Sequence, residues 1–266
     1  MRPFIPDFLK IDEKKAIEKI ARFIRIHIKN SGASGVIFGL SGGVDSSVVA
    51  ELAVNAVGLD KVLALILPEK ESNSVDIRDA EKIAERLKLN YIKLDITNIV
   101  RGVLSLSNDD YTSTPRIAKG NVKARVRMVT LYYFANRLNR LVLGTGDKSE
   151  LTLGYFTKYG DGGVDLLPLG GLFKTQVRLI ADYLKIPEEI AWKPSSPGLW
   201  PGHKALDELG ADYLVIDQIL YFHERKLGMD EIAEKVNVSQ NLVKSIFKRI
   251  AENKHKREPP PICRMD

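Results

Sequence analysis

Cysteine is almost absent: Cys263 is the only one in 266 residues. No disulfide can form within the chain, and neither a cysteine-rich zinc site nor a thiol relay is available. Histidine is scarce as well. His27, His203, His223 and His255 stand apart without the spacing of metal ligands, so a divalent ion would be held by oxygen, which favours magnesium. Long apolar runs are missing; the longest, such as VLALIL, are strand-length and cannot span a bilayer. The opening stretch, MRPFIPDFLKIDEKK, lacks the apolar core of a signal peptide. A cytoplasmic chain without membrane contact is expected. Nor is there a surplus of one charge large enough to demand nucleic acid. The net charge is +6, and basic residues interleave with acidic ones except at Lys119 to Arg127 and Lys254 to Arg257. Those two clusters fit solvated helix faces or a polyanionic small molecule, and no nucleic-acid partner is expected.

What is present is a globular pattern, with 44% hydrophobic and 28% charged residues. From Asp12 to Asn30, Ile17, Ile20, Ile24 and Ile28 recur at helical spacing, and Ser31-Gly32 supplies the stop. His27 lies beside that stripe and reads as packing. GVIFGL is a short buried strand, SSVVAELAVNAV a helix ending at Gly58, and KVLALILP the next strand, broken at Pro68. SVDIRDAEKIAERLKL, TNIVRGVLSL and VKARVRMVTLYYFANRLN read as helices, the last capped by Asn121; NYIKLDI and RLVLG read as strands. This alternation predicts an α/β fold, a Rossmann-like doubly wound parallel sheet flanked by helices. Beyond Gly144 a glycine-rich stretch, mostly loop, leads to the helix KTQVRLIADYLKI. A Pro/Gly-rich excursion, KPSSPGLWPGHKALDELG, then holds both tryptophans. Helices fill about 205–255, and 256–266 is an extended tail. One domain over 1–266 is expected, large enough to bury its own core.

Between the first strand and its helix lies FGLSGGVDSS, Phe38 to Ser47. In an open parallel sheet, ligands sit beyond the carboxyl ends of the strands, where strand order reverses. Gly42 and Gly43 let the backbone curl so that successive N–H groups face one anion. The helix N-terminus adds partial positive charge, and Ser41, Ser46 and Ser47 offer hydroxyls. The lysine of GxxxxGK[ST], which grips the outer phosphates when the γ phosphoryl is transferred, is absent. Asp45 occupies the loop instead. A carboxylate beside a polyphosphate repels it unless a cation bridges the two, so Asp45 implies bound Mg²⁺. Such a cradle suits attack at the α phosphorus of ATP with pyrophosphate departing. The plainer alternative is a tight turn followed by an Asp45-Ser46 helix cap.

SGGVDSS matches SGGxDS[ST], the pattern of the ATP pyrophosphatases. Further along, GTGDKSELTLGYFTKYGDGGVDLLPLGGLFKTQVRLIADYL, with KGNVKARVRM upstream and HKR near the C-terminus, resembles the ammonia-dependent NAD synthetases over nearly the whole chain. The resemblance implies amidation of deamido-NAD with ATP and ammonia, giving NAD, AMP and pyrophosphate, in a homodimer. It assigns the metal to Asp45 and Glu150. It assigns ATP to Gly39, Leu40, Ser41, Gly42, Gly43, Val44, Asp45, Ser46, Thr145, Lys174 and Ser196. Deamido-NAD falls to Arg125, Lys158, Asp165, His255 and Lys256. The expected catalytic set is Asp45, Glu150, Asp165 and Lys174. Taken alone, Glu150 could equally complete a capping box begun by Asp147. Phe156 and Tyr159 read either as apolar anchors or as a stacking surface. Arg125 and Arg127 fall on different helix faces, and the family pattern favours Arg125. Asp165 beside the nicotinate could bind ammonium and take its proton. Lys174 begins a helix, where the dipole disfavours a cation, which speaks against a purely structural role. Two positions depart from the family pattern: Gly198 stands for an aspartate, and Ile66 for an arginine found near ATP in several bacterial relatives.

Rival readings differ in what they lack here. A GMP synthetase-like pyrophosphatase has no TKYGDGGVD block, a thiolating relative wants reactive cysteines, and a non-catalytic nucleotide-binding module needs neither Asp45 nor Glu150. A glutamine-using enzyme would carry an amidase domain with a catalytic cysteine, so ammonia is expected as direct donor. ESNSVD and SSPGLWPGHK are expected to close over the ligands as lids.

Overall fold

The computed structural model describes residues 3–107 and 109–265. Four short strands, β1 (Gly35–Gly39), β2 (Val62–Ile66), β3 (Tyr91–Lys93) and β4 (Arg140–Val142), form a parallel sheet in the order β3-β2-β1-β4. Ile37 sits opposite Leu63 on one side and Val142 on the other. The two-residue alternation of a strand decides what each face receives. Val36, Phe38, Val62, Ala64 and Ile66 join one core, while Ile37, Leu63, Leu65 and Val142 join another. Covered on both faces, β1 and β2 are near-continuous apolar runs, whereas the edge strand β3 is largely exposed.

Helices α1 (Glu13–Ser31), α2 (Val44–Val57) and α3 (Ser74–Leu87) pack into the first core. The second is covered by α4 (Thr97–Leu104) and α5 (Arg116–Leu138). Past β4, α6 (Lys148–Leu153) leads to α7 (Lys174–Tyr183), which returns to the first face, followed by α8 (Glu188–Ala191). Five further helices, α9 (Ala205–Leu209), α10 (Tyr213–Glu224), α11 (Met229–Val236), α12 (Gln240–Glu252) and α13 (Lys254–Arg257), complete the chain. Leu209, Tyr213, Ile216, Ile219, Leu220, Ile232, Val243 and Ile246 close a third core over Leu153 and Phe173. That core fastens the helical part to α6 and α7. Among the described residues no helix is long and apolar enough to cross a membrane.

Local chemistry sets the boundaries. Asp12 caps α1 by accepting from Lys15 N at 3.0 Å, and Gly32 ends it in the left-handed region at φ 69°. His27 packs as expected, its ring 4.3 Å from that of Phe23. Asn121 does not cap α5. The helix starts five residues earlier, where Lys119 N donates to Pro115 O at 3.0 Å, because Pro115 is placed just outside the first turn. Asn121 is therefore inside the helix, accepting from Thr157 Oγ1 at 2.8 Å. The glycine-rich stretch after Gly144 contains α6, and the tryptophan-bearing excursion ends in α9. The last helical turn runs to Arg257, so the tail begins at 258 rather than 256.

Gly35 opens β1 against the backbone entering β2. A Cβ there would lie 2.2 Å from the Lys61 carbonyl oxygen. Gly35→Ala is expected to cost about 1–3 kcal/mol in chemical denaturation. Gly171→Ala, with no atom within 4 Å of its added Cβ, should leave the midpoint unchanged or slightly raised.

Candidate active site

β1 runs straight into the glycine loop. Leu40 N donates to Leu65 O at 2.8 Å, which keeps the loop on the sheet. Gly42 turns at φ +82°, and a Cβ on it would lie 2.0 Å from the Asp76 carbonyl oxygen, so only glycine fits. The serine hydroxyls hold the loop's own shape. Ser46 Oγ and Ser47 Oγ donate to Gly43 O at 3.0 and 2.8 Å, and Gly43 N donates to Ser41 Oγ at 3.3 Å. Helix α2 then begins at Val44 with no side-chain cap. Its first-turn N–H groups are the donors a helix cannot satisfy internally, and they suit an anion.

The loop borders a cavity of about 600 Å³ at the carboxyl ends of β1 and β2. The order β3-β2-β1-β4 reverses direction between β1 and β4, so this is the switch point of the sheet. Of the residues assigned to ATP, all but Gly42 line the cavity: Gly39, Leu40, Ser41, Gly43, Val44, Asp45, Ser46, Thr145, Lys174 and Ser196. Gly42 is the buried pivot behind them.

Lys174, fully buried at the first position of α7, meets carboxylates from two directions. Its Nζ lies 2.6 Å from Asp45, 2.9 Å from Asp147 and 2.7 Å from Glu150. Burial alone would lower the lysine pKa, but the charges of Asp147, Asp45 and Glu150 outweigh it and hold the pKa well above the ordinary value. Burial pushes Asp147 up to about 7 against the opposing pull of Lys174, and pushes Glu150 well above the usual carboxylate range. The cation placed at a helix N-terminus is thus compensated by these carboxylates. The capping box also exists: Glu150 N donates to Asp147 Oδ1 at 2.8 Å, and Glu150 Oε2 accepts from Asp147 N at 3.3 Å. The other oxygen, Oε1, is the one that meets Lys174.

The donor set suits a divalent cation. Asp45 Oδ1 is buried and has no hydrogen-bond partner among the described residues, and three carboxylates face a single ammonium. Among the described residues no group of three or more His, Cys, Asp or Glu is arranged to hold a metal alone. A magnesium shell built on Asp45 and Glu150 would be completed by phosphate and water oxygens, the usual arrangement for that ion.

The residues assigned to deamido-NAD fall into a different place. Only Lys256 lines the cavity, its Nζ donating to Gly154 O and Phe156 O at 2.7 and 2.9 Å. Arg125 Nη2 donates to Lys158 O at 3.3 Å, and Lys158 Nζ to His255 O at 2.6 Å. These three form a chain of contacts outside the cavity. Asp165 lies outside it too, one oxygen accepting from Val142 N at 2.7 Å and the other from Tyr132 Oη at 2.9 Å.

Several residues that sequence reasoning passed over or left undecided line the cavity. Asp161, four positions before Asp165, is open to it and accepts from Thr157 N at 2.9 Å. Crowding by the surrounding protein raises its pKa, against that backbone donor and the nearby Lys256 and Arg127. Arg127, not Arg125, lines the cavity, with Nε donating to Leu67 O at 3.1 Å. Lys193 reaches Asp76 at 2.8 Å and Gly42 O at 3.4 Å; its signal was its place as the first basic residue before SSPG. Phe156 lines the cavity, whereas Tyr159 is exposed outside it.

Both expected lid segments form walls of the cavity, through Ser72, Asn73 and Asp76 and through Ser195 to Trp200 and His203. Lys123, on α5, joins them. It is fully buried, with Nζ 2.7 Å from Glu69, 2.6 Å from Glu71 and 2.9 Å from Leu199 O. Trp200 stacks on His203 at 3.5 Å between ring centres.

Known proteins match this chain over most of its length. The NAD synthase family profile fits residues 16–260. The NH(3)-dependent NAD(+) synthetase of Methanocaldococcus jannaschii is 44% identical over 93% of this chain and 96% of its own length. That of Staphylothermus marinus is 44% identical over 97% and 94%. Among solved structures, an NMN synthetase from Francisella tularensis superposes with a TM-score of 0.85 at 33% identity, covering 96% of this chain and 100% of that one. An NH3-dependent NAD synthetase from Campylobacter jejuni, in complex with nitrate, gives 0.81 at 32% identity, with 96% and 100% covered. With a glycine loop, a carboxylate-held lysine and a switch-point cavity carried on a sequence shared at this level, the chain belongs to the NAD synthase family.

Proposed function

We propose that the protein amidates deamido-NAD with ammonia, using ATP to adenylate the nicotinate carboxylate and releasing NAD, AMP and pyrophosphate. The observation that carries this reading is the lysine-free glycine loop facing Asp45, Glu150 and Lys174 across one cavity. The names of the relatives support it. A carboxylate oxygen of the nicotinate attacks the α phosphorus, and the bond to pyrophosphate breaks. Ammonia then attacks the acyl carbon, the bond to AMP breaks, and the amide forms.

The uncapped N-terminus of α2 and the loop N–H groups bind the departing phosphates. Lys174 stays protonated among its carboxylates and holds Asp45 and Glu150 in place. Those two would hold magnesium, which supplies positive charge to the leaving pyrophosphate. Ammonium must lose a proton before it can attack. We assign that proton to Asp161 in preference to Asp165, because Asp161 opens to the cavity while both oxygens of Asp165 are engaged elsewhere. The Trp200 and Glu71 segments exclude water from the adenylate through their joint at Lys123.

The deamido-NAD group outside the cavity fits a substrate that is completed by a second copy of the chain. α4 and α5 pack together, and they leave Ile99, Val103, Val129 and Tyr133 exposed. Arg125, Val129 and Tyr133 follow at four-residue spacing on one helix face. A homodimer through this face would bury the apolar residues and bring the Arg125–Lys158–His255 contacts beside the partner.

Incubation with ATP, Mg²⁺, ammonium and deamido-NAD should give NAD, AMP and pyrophosphate in equal amounts; ADP as product would overturn the reading. Nicotinate mononucleotide in place of deamido-NAD tests whether the smaller substrate suffices. Asp45→Asn should lower turnover about 10- to 100-fold and raise the Mg²⁺ concentration needed for half-maximal rate. Val129→Glu should shift the protein to a monomer in sedimentation and raise KM for deamido-NAD; a dimer of wild-type activity would remove this face from consideration.

A further inference from the structure

Asp217 sits on α10, fully buried and outside the lining of the cavity. Two donors converge on it from two other helices. Ser149 Oγ donates to Oδ1 at 2.5 Å, and Thr175 N donates to Oδ2 at 2.7 Å. Ser149 Oγ in turn accepts from Lys174 N at 3.0 Å. Ser149 immediately precedes Glu150 in the first turn of α6, and Thr175 immediately follows Lys174 in the first turn of α7. One carboxylate from the helical C-terminal part therefore ties together the N-termini of the two helices that carry Glu150 and Lys174.

A buried carboxylate is costly unless it is well hydrogen-bonded, and burial raises that of Asp217 to about 6. Ordinary helix capping would account for one bond, to Thr175 N. It does not account for the second bond, to a serine whose hydroxyl also receives the amide of Lys174. That shared hydroxyl fixes the spacing between the backbone of Lys174 and the backbone beside Glu150. The negative charge also offsets the cation that begins α7.

We propose that Asp217 is a positioning residue for the amidation: through Ser149 it sets the register of Glu150 against Lys174, without touching substrate. The inference rests on the function proposed above. A displacement of about 1 Å in such a group is enough to slow chemistry by about 100-fold, and the adenylation step is the one that uses this side of the cavity.

The test compares Ser149→Ala, Asp217→Asn and Asp217→Ala with wild type, each checked for folding by circular dichroism and thermal unfolding. Exchange of labelled pyrophosphate into ATP, with deamido-NAD and without ammonia, isolates adenylation. Ser149→Ala and Asp217→Asn should each slow the exchange about 10- to 100-fold, with KM for ammonium and for deamido-NAD unchanged. The double variant should be no slower than the slower single one, since both break the same linkage. If Asp217→Ala fails to fold, Ser149→Ala, which loses only a hydroxyl, carries the test. Folded variants that exchange at the wild-type rate overturn the proposal. So do effects that multiply in the double variant, or KM values that all rise together with falling stability. No exchange by the wild-type enzyme overturns the function itself, and is read from that control alone.

Discussion

The buried ammonium of Lys174 is the interaction on which the site depends. Asp45 arrives from the start of α2, Asp147 from the turn before α6 and Glu150 from its first turn, and all three meet one nitrogen. Removing one partner of a buried pair typically destabilises by about 3–5 kcal/mol, because the other charge is left uncompensated. Here the loss would strand more than one carboxylate, so the glycine loop, α6 and α7 are held to a single geometry. Burial still raises the pKa values of Asp147 and Glu150 above the ordinary carboxylate range, and the charge of Lys174 opposes that rise.

The position of that group follows from the sheet. Parallel strands point their carboxyl ends at one edge, and the reversal of order beside β1 opens a crevice there. The loop after β1 and Thr145 after β4 fall on its two sides. The glycine loop, Thr145 and Lys174 face the crevice. Arg125, Lys158 and His255 lie on an outer wall, where Lys158 contacts both of the others. On the function proposed above, ATP would occupy the crevice and the dinucleotide would reach that wall past Lys256 and Asp161, which line the cavity.

The parts of this design that depend on near neighbours were legible in the sequence. Apolar runs between breakers gave the strands, and SGGVDSS could be read as an anion loop because its glycines, aspartate and helix start are contiguous. Contacts between distant segments were not legible. Ser149 and Asp217 are 68 residues apart, and Lys123 and Leu199 are 76 apart. Asp161 went unremarked for a different reason. It and Asp165 stand in one loop, four residues apart, and the turn around Gly162 brings Asp161 to the cavity and leaves Asp165 outside it. The start of α5 was misplaced because Gly120-Asn121 looks like punctuation, whereas tertiary packing carries the helix through it.

Lys123 has a mechanical consequence for traffic through the cavity. Its ammonium serves Glu69 and Glu71 on one wall and the Leu199 carbonyl on another. Lys123 and Glu69 are fully buried, while Glu71 is partly exposed and is also held by Lys119 at 2.8 Å. Moving the Leu199 wall alone takes one carbonyl from a lysine that keeps both carboxylates, whereas moving the Glu69 wall alone parts buried ions. Through Lys123 the two flaps are thus unequally fastened, the tryptophan-bearing one by the weaker tie.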